Sequence, residues 1–190
     1  MLSRALLVLF VAGSALTAAP VAAQSVVDLD GRPIDPLAVP AGAAAHVLVF
    51  TTTDCPISNR YAPEIKRLAD VYAARGVRFW VVYPVPTDTA DKIRAHAAQF
   101  GLELPIARDT RSALVKHTGV TVTPEVAVIQ RSGGIAYRGR VDDRYVDFGV
   151  DRAAPTTRDL DQALTNLLTG KPIEPKTTRA VGCILSDLLK

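Results

Sequence analysis

The chain has 190 residues, 48% of them apolar and 22% charged, proportions that exclude disordered, collagenous and multi-pass membrane classes and fit one globular domain. Twenty-two basic and nineteen acidic side chains leave a formal charge of +3, too even a balance to call for a nucleic-acid or anionic-membrane partner. Two cysteines allow one disulfide at most, so the core has to come from apolar burial.

Arg4 precedes an uncharged run from Ala5 to Ala19, and Val21, Ala22 and Ala23 follow. The run is short for a spanning helix, contains Gly13 and Thr17, and ends in the small residues of a cleavage site after Ala23. Residues 1–23 therefore read as a signal peptide, with no stable membrane span after cleavage and a periplasmic or secreted destination. Export would put Cys55 and Cys183 in an oxidising compartment, where a disulfide can persist.

Residues 24–42 are rich in Pro, Asp and Gly and suit an extended arm or short hairpin. His46 to Thr53 is a β-branched run of the length of a strand buried on both faces. From Asn59 to Arg75 the stripe Tyr61, Ile65, Leu68, Tyr72 has helical spacing, and Gly76 stops it. Val77 to Tyr83 is a second buried strand, and Thr89 to Phe100 puts Ala90, Ile93, Ala97 and Phe100 on one helical face. Pro105 to Ala107 reads as a short strand and Thr110 to His117 as a short helix. Glu125–Gln130 and Ile135–Arg140, joined through Ser132-Gly133-Gly134, predict a β-hairpin. The Asp142, Asp143, Asp147, Asp151 loop matches no calcium-site spacing and reads as a solvated connection. A last helix is expected from Thr156, with Asp159 completing a capping-box variant and a stripe of Leu160, Ala163, Leu164 and Leu167. Residues 24–170 then form one domain, and 171–190 an extended tail carrying Cys183. The order gives an α/β fold, a mixed central sheet with helices on both faces.

Cys55 follows a buried strand and precedes a helix. There the free N–H groups and the helix dipole favour a thiolate, and Pro56 suits the first turn. Cys183 lies on a tail long enough to cross a small domain. A structural disulfide, two unrelated thiols and a resolving role are all open to it. His46, His96 and His117 are read as structural or exposed, and no metal site is expected.

Cys55-Pro56-Ile57-Ser58 followed by Tyr61-Ala62-Pro63 resembles the thioredoxin active site, a C-x-x-C followed by Ala-Pro in one helix, with Ser58 where the second cysteine would stand. The segment around Thr123-Pro124 resembles the cis-proline strand of the same superfamily. Together with Asp54-Cys55-Pro56, the loop from Asp142 to Gly149 and Val181-Gly182-Cys183, these features are similar to exported redoxin-domain proteins of the alkyl hydroperoxide reductase and thiol-specific antioxidant type. The resemblance implies a thioredoxin-like fold and a thiol–disulfide oxidoreductase without a cofactor. Cys55 is the implied nucleophile, Ser58 a residue that tunes it, and Cys183 the candidate resolving cysteine. Pro56, Thr123 and Pro124 would bind substrate, the loop before Pro124 receiving its backbone. Thr52 fits the threonine of the P-x-x-x-T-x-x-C loop of peroxiredoxins, but Leu48 occupies its proline position and Thr123-Pro124 the place of an arginine that polarises peroxide. A peroxiredoxin-like peroxidase and a copper-binding thioredoxin-fold protein are the alternatives. The partner is a protein or small-molecule thiol, disulfide or hydroperoxide, with the electron donor left open. Cys55 is expected to be partly accessible, beside Thr123-Pro124.

Overall fold

The computed structural model describes residues 26–189, and the leader read at 1–23 lies outside them. The strands β1 (Ala45–Phe50), β2 (Val77–Tyr83) and β3 (Ile106–Arg108) run parallel, with β1 at the centre of the sheet. On its other side β1 pairs antiparallel with β5 (Glu125–Gln130), which pairs with β6 (Ile135–Gly139) as the expected hairpin. The sheet order is β3-β2-β1-β5-β6, a mixed sheet.

Alternation along β1 explains how both faces fill. Ala45, Val47 and Val49 meet Ile57, Tyr61, Ile65, Leu68 and Tyr72 of α1 (Pro56–Ala73), together with Leu160, Ala163 and Leu164 of α4 (Asp159–Thr169). Leu48 and Phe50 point the other way, onto Val26 of the N-terminal arm, Leu114 of α3 (Ala113–Thr118) and Leu185. Helix α2 (Ala90–Phe100) buries Ile93 against Val81 and Tyr83. Its inward face also takes His96, which the apolar spacing passed over; the ring is satisfied by Tyr83 Oη at Nδ1 (2.9 Å) and Asn59 Oδ1 at Nε2 (2.7 Å).

Two expectations on the C-terminal side are corrected. Helix α4 begins at Asp159, not Thr156, because the Asp143 carboxylate accepts the Thr156 and Thr157 amides and the Thr156 hydroxyl, holding those residues in the loop. The aspartate loop is therefore not simply solvated. Asp142 and Asp143 are buried and hydrogen-bonded, whereas Asp147 and Asp151 face solvent and belong to the hairpin of β7 (Tyr145–Asp147) and β8 (Val150–Asp151).

The tail packs closely on the domain. Lys176 O accepts from Arg138 N, Thr178 N donates back to Arg138 O, and the Tyr137 hydroxyl bonds Thr178 Oγ1. Beyond them β9 (Cys183–Ile184) pairs antiparallel with β4 (Val122–Thr123), and α5 (Leu185–Leu188) buries Leu185 to 2% exposure. Among the described residues, no helix is long and apolar enough to cross a membrane.

Candidate active site

Strand β1 ends at Phe50, and four residues carry the chain to Cys55 at the N-cap of α1. The loop is fixed from the side by Asp88, whose carboxylate accepts Thr53 Oγ1 at 2.6 Å and Thr53 N at 3.2 Å. Pro56 occupies the first helical turn, where its missing N–H costs nothing. Cys55 has extended backbone angles and no side-chain cap closes on α1, and the Ser58 amide of the first turn acts to lower the Cys55 pKa.

Antiparallel pairing of β1 with β5 brings Thr123 and Pro124 to the same end of the sheet, and the Thr123-Pro124 bond is cis, as the resemblance implied. Cys55 Sγ lies 3.0 Å from the Thr123 carbonyl oxygen, to which its thiol form donates. The second sulfur comes from the tail. Register Thr123↔Cys183 in the β4–β9 pair sets Cys183 Sγ 2.8 Å from Cys55 Sγ, with the Cys183 thiol donating.

Accessibility departs from expectation. Cys55 is 0% exposed, because Cys183 and β9 lie over it, while Cys183 itself is half-buried. Burial raises the Cys55 pKa, but the Cys183 thiol, the hydroxyl and amide of Ser58 and the Thr123 side chain more than offset this, and the net displacement is downward. Ser58 Oγ and Thr123 Oγ1 are buried and have no hydrogen-bond partner among the described residues. Cys183 is pushed up to about 12 by burial and by its bond and charge interaction with Cys55. One sulfur is thus set up as the thiolate and its neighbour as the proton-bearing thiol.

Of the remaining sequence candidates, Pro56 is exposed at the rim, Pro124 is buried behind the site, and Thr52 is buried after β1 with no hydrogen bond from its hydroxyl to Cys55 among the described residues. Among the described residues, no group of three or more His, Cys, Asp or Glu side chains gathers to hold a metal.

Several supporting residues escaped the sequence reading. Glu125 is buried, and Oε2 accepts Thr121 N at 2.8 Å and Val122 N at 3.4 Å, fixing the strand that faces Cys55. A carboxylate inside the apolar run EVAVI was the available signal. Tyr61, one of the stripe residues, donates to Asp142 Oδ1 at 2.5 Å and ties α1 to the loop beside the site. Nothing local in the sequence announces that pairing.

A family model described as Redoxin matches residues 15–154. No curated protein matches the chain. Among solved structures, an uncharacterized conserved protein from Geobacillus kaustophilus is similar at 26% identity and a TM-score of 0.72, over 84% of this chain and 86% of that one. Hypothetical protein SMc02350 from Sinorhizobium meliloti 1021 is similar at 23% identity and a TM-score of 0.65, over 75% and 79%. A secreted Mycobacterium tuberculosis disulfide oxidoreductase homologous to E. coli DsbE shares 17% identity and a TM-score of 0.52 over 80% and 99%, a likeness of fold.

Proposed function

The chain belongs to the Redoxin family and is an oxidoreductase, and from that premise we propose a thiol–disulfide oxidoreductase whose redox-active pair is Cys55 and Cys183. The observation that carries the reading is the 2.8 Å separation of the two sulfurs, held by backbone pairing of β4 with β9 and not by chance contact of loops. Cys55 is the nucleophilic thiolate of the pair. Cys183 is the sulfur with which it closes a disulfide, and Ser58 and Thr123 tune the thiolate without carrying electrons. Closing the Cys55–Cys183 bond delivers two electrons to a substrate disulfide, and opening it accepts two electrons from thiols. The protein acts outside the cytoplasm: the leader pattern at residues 1–23 supports export, as does the secreted character of the Mycobacterium tuberculosis fold neighbour. Its partners are protein or small-molecule thiols and disulfides.

The test is turnover of a model disulfide by purified protein and by Cys55→Ser and Cys183→Ser. Each single substitution should lower turnover by at least about a hundredfold, since either leaves the other sulfur without a partner. Full activity in Cys183→Ser would reduce the site to one cysteine and overturn the pairing.

A further inference from the structure

The two sulfurs differ in how the surroundings reach them. Cys55 is fully buried, beneath Cys183 and the Thr123 carbonyl, and lines neither of the two grooves beside it, the one bordered by Cys183 and the one bordered by Pro56. Cys183 borders an open groove of about 670 Å³, with Thr121, Val122, Phe148 and Ile184 along its walls. The strand that resemblance would offer to a substrate backbone, β4, is already occupied by this chain. Val122 pairs with Ile184, Thr123 pairs with Cys183, and Leu185 N donates to Thr121 O at 2.9 Å. Gly182 sits so close that a Cβ there would lie 2.0 Å from Thr123 O, a fit no other residue could make, and buried Leu185 anchors the far end. A partner cannot lie along β4 and touch Cys55 while β9 is in place.

We propose that external thiols meet the oxidised protein at Cys183 and not at Cys55, entering through the groove between β9 and the β7–β8 hairpin. The proposal rests on the reading of Cys55 and Cys183 as the redox pair and adds which sulfur is attacked and by what. An incoming thiolate RS⁻ attacks Cys183 Sγ and forms an R–S–S–Cys183 bond. The Cys55–Cys183 bond breaks, and its electron pair leaves on Cys55 as thiolate. A second thiolate of the same partner then attacks the R sulfur and closes the partner's own disulfide. It releases Cys183, which takes a proton from water. The partner's dithiol is oxidised by two electrons and the protein's disulfide is reduced by two. The better leaving thiol in disulfide exchange is the one of lower pKa; with Cys183 held in the mixed disulfide and unable to donate, the Ser58 and Thr123 contributions are those left to favour the departing Cys55 thiolate. The groove also names the partner's chemistry. Phe148 is 67% and Ile184 52% exposed, large apolar side chains that line the same groove as the reacting sulfur, with Asp147, Arg179 and Asp187 also along it. The occupant they fit is a polypeptide dithiol with apolar residues flanking its cysteine.

The experiment uses the full chain, oxidised to the Cys55–Cys183 disulfide and verified by mass. It is mixed with a short peptide bearing one cysteine between leucines, and in parallel with glutathione, then quenched in acid and mapped by peptide mass. The adduct should sit on Cys183 over Cys55 by at least tenfold, and the leucine peptide should react faster than glutathione. A second arm removes dependence on accumulation: Cys55→Ser and Cys183→Ser, each loaded with 2-nitro-5-thiobenzoate, are discharged by glutathione, with release from Cys183 expected at least tenfold faster. An adduct mainly on Cys55, or equal discharge rates, overturns the proposal while leaving the redox pair intact. Failure to form the intramolecular disulfide at the outset refutes the underlying reading instead.

Discussion

Ser58 occupies the position at which a C-x-x-C helix carries its second sulfur, and here that sulfur comes from Cys183, 128 positions from Cys55. Because Ser58 contributes a hydroxyl and an amide but no electrons, Ser58→Ala should cost disulfide turnover about tenfold, the low end of the scale of one hydrogen bond to a charged group. An assay showing loss as deep as in Cys55→Ser would make Ser58 indispensable and contradict its tuning role. The pair also sets a pH signature. The lowered Cys55 pKa stabilises the reduced fold fully above the ordinary thiol value, and that contribution is lost as pH falls through the Cys55 value. Cys183 works in the opposite sense: its contribution is present below the ordinary thiol value and fades as pH rises toward about 12. Thiolate absorbance of the reduced protein should show one step below the ordinary thiol range and no second step before about pH 11. Cys183→Ala removes the thiol that donates to Cys55, so the first step should move upward; an unmoved step would mean that the neighbouring thiol does not hold the charge.

At the scale of elements, the helices and strands with apolar spacing were legible from sequence, since α1, β1, β2 and the β5–β6 hairpin bury the residues their periodicity selects. Pairings formed across long separations were not. Strands β4 and β9 have two residues each, too few for any periodic signal, and their register is fixed by the close approach of Gly182 to Thr123. Gly182→Val should therefore expel β9 from β4 without touching either sulfur. Iodoacetamide labelling of Cys55 in the reduced variant should accelerate at least about tenfold, as local opening is no longer needed. Unchanged labelling would show that β9 does not shield the site. The start of α4 was missed for a related reason, because Asp143 holds Thr156 and Thr157 in the loop ahead of the helix. Burial raises the Asp143 pKa, but hydrogen bonds from Thr156 and Thr157 hold it well below the usual carboxylate range. Its stabilising contribution is thus present above the ordinary carboxylate value and lost as pH falls through its own. Asp143→Asn should lower stability at neutral pH and flatten the decline on acidification, measured by thermal unfolding across that range. A slope equal to that of the parent protein would remove Asp143 from the acid response.

Taken whole, the molecule is a mixed sheet with β1 at its centre, and the order of sheet elements already pointed there because parallel strands require crossovers and a terminal hairpin requires none. Cys55 and Thr123-Pro124 could be named from the sequence as neighbours because their segments resemble the thioredoxin active-site helix start and the cis-proline strand that faces it. The position of Cys183 could not, since no local pattern tells a tail where to return. That return makes the tail part of the site. It covers Cys55, supplies the second sulfur and presents Cys183 to the surface. The most direct test is the intact mass of the mildly oxidised protein, with and without reductant, followed by alkylation and peptide mapping. The account predicts a protein lighter by two hydrogens, no alkylatable thiol before reduction, and a cross-linked peptide joining Cys55 to Cys183. Two alkylatable thiols surviving mild oxidation would contradict it.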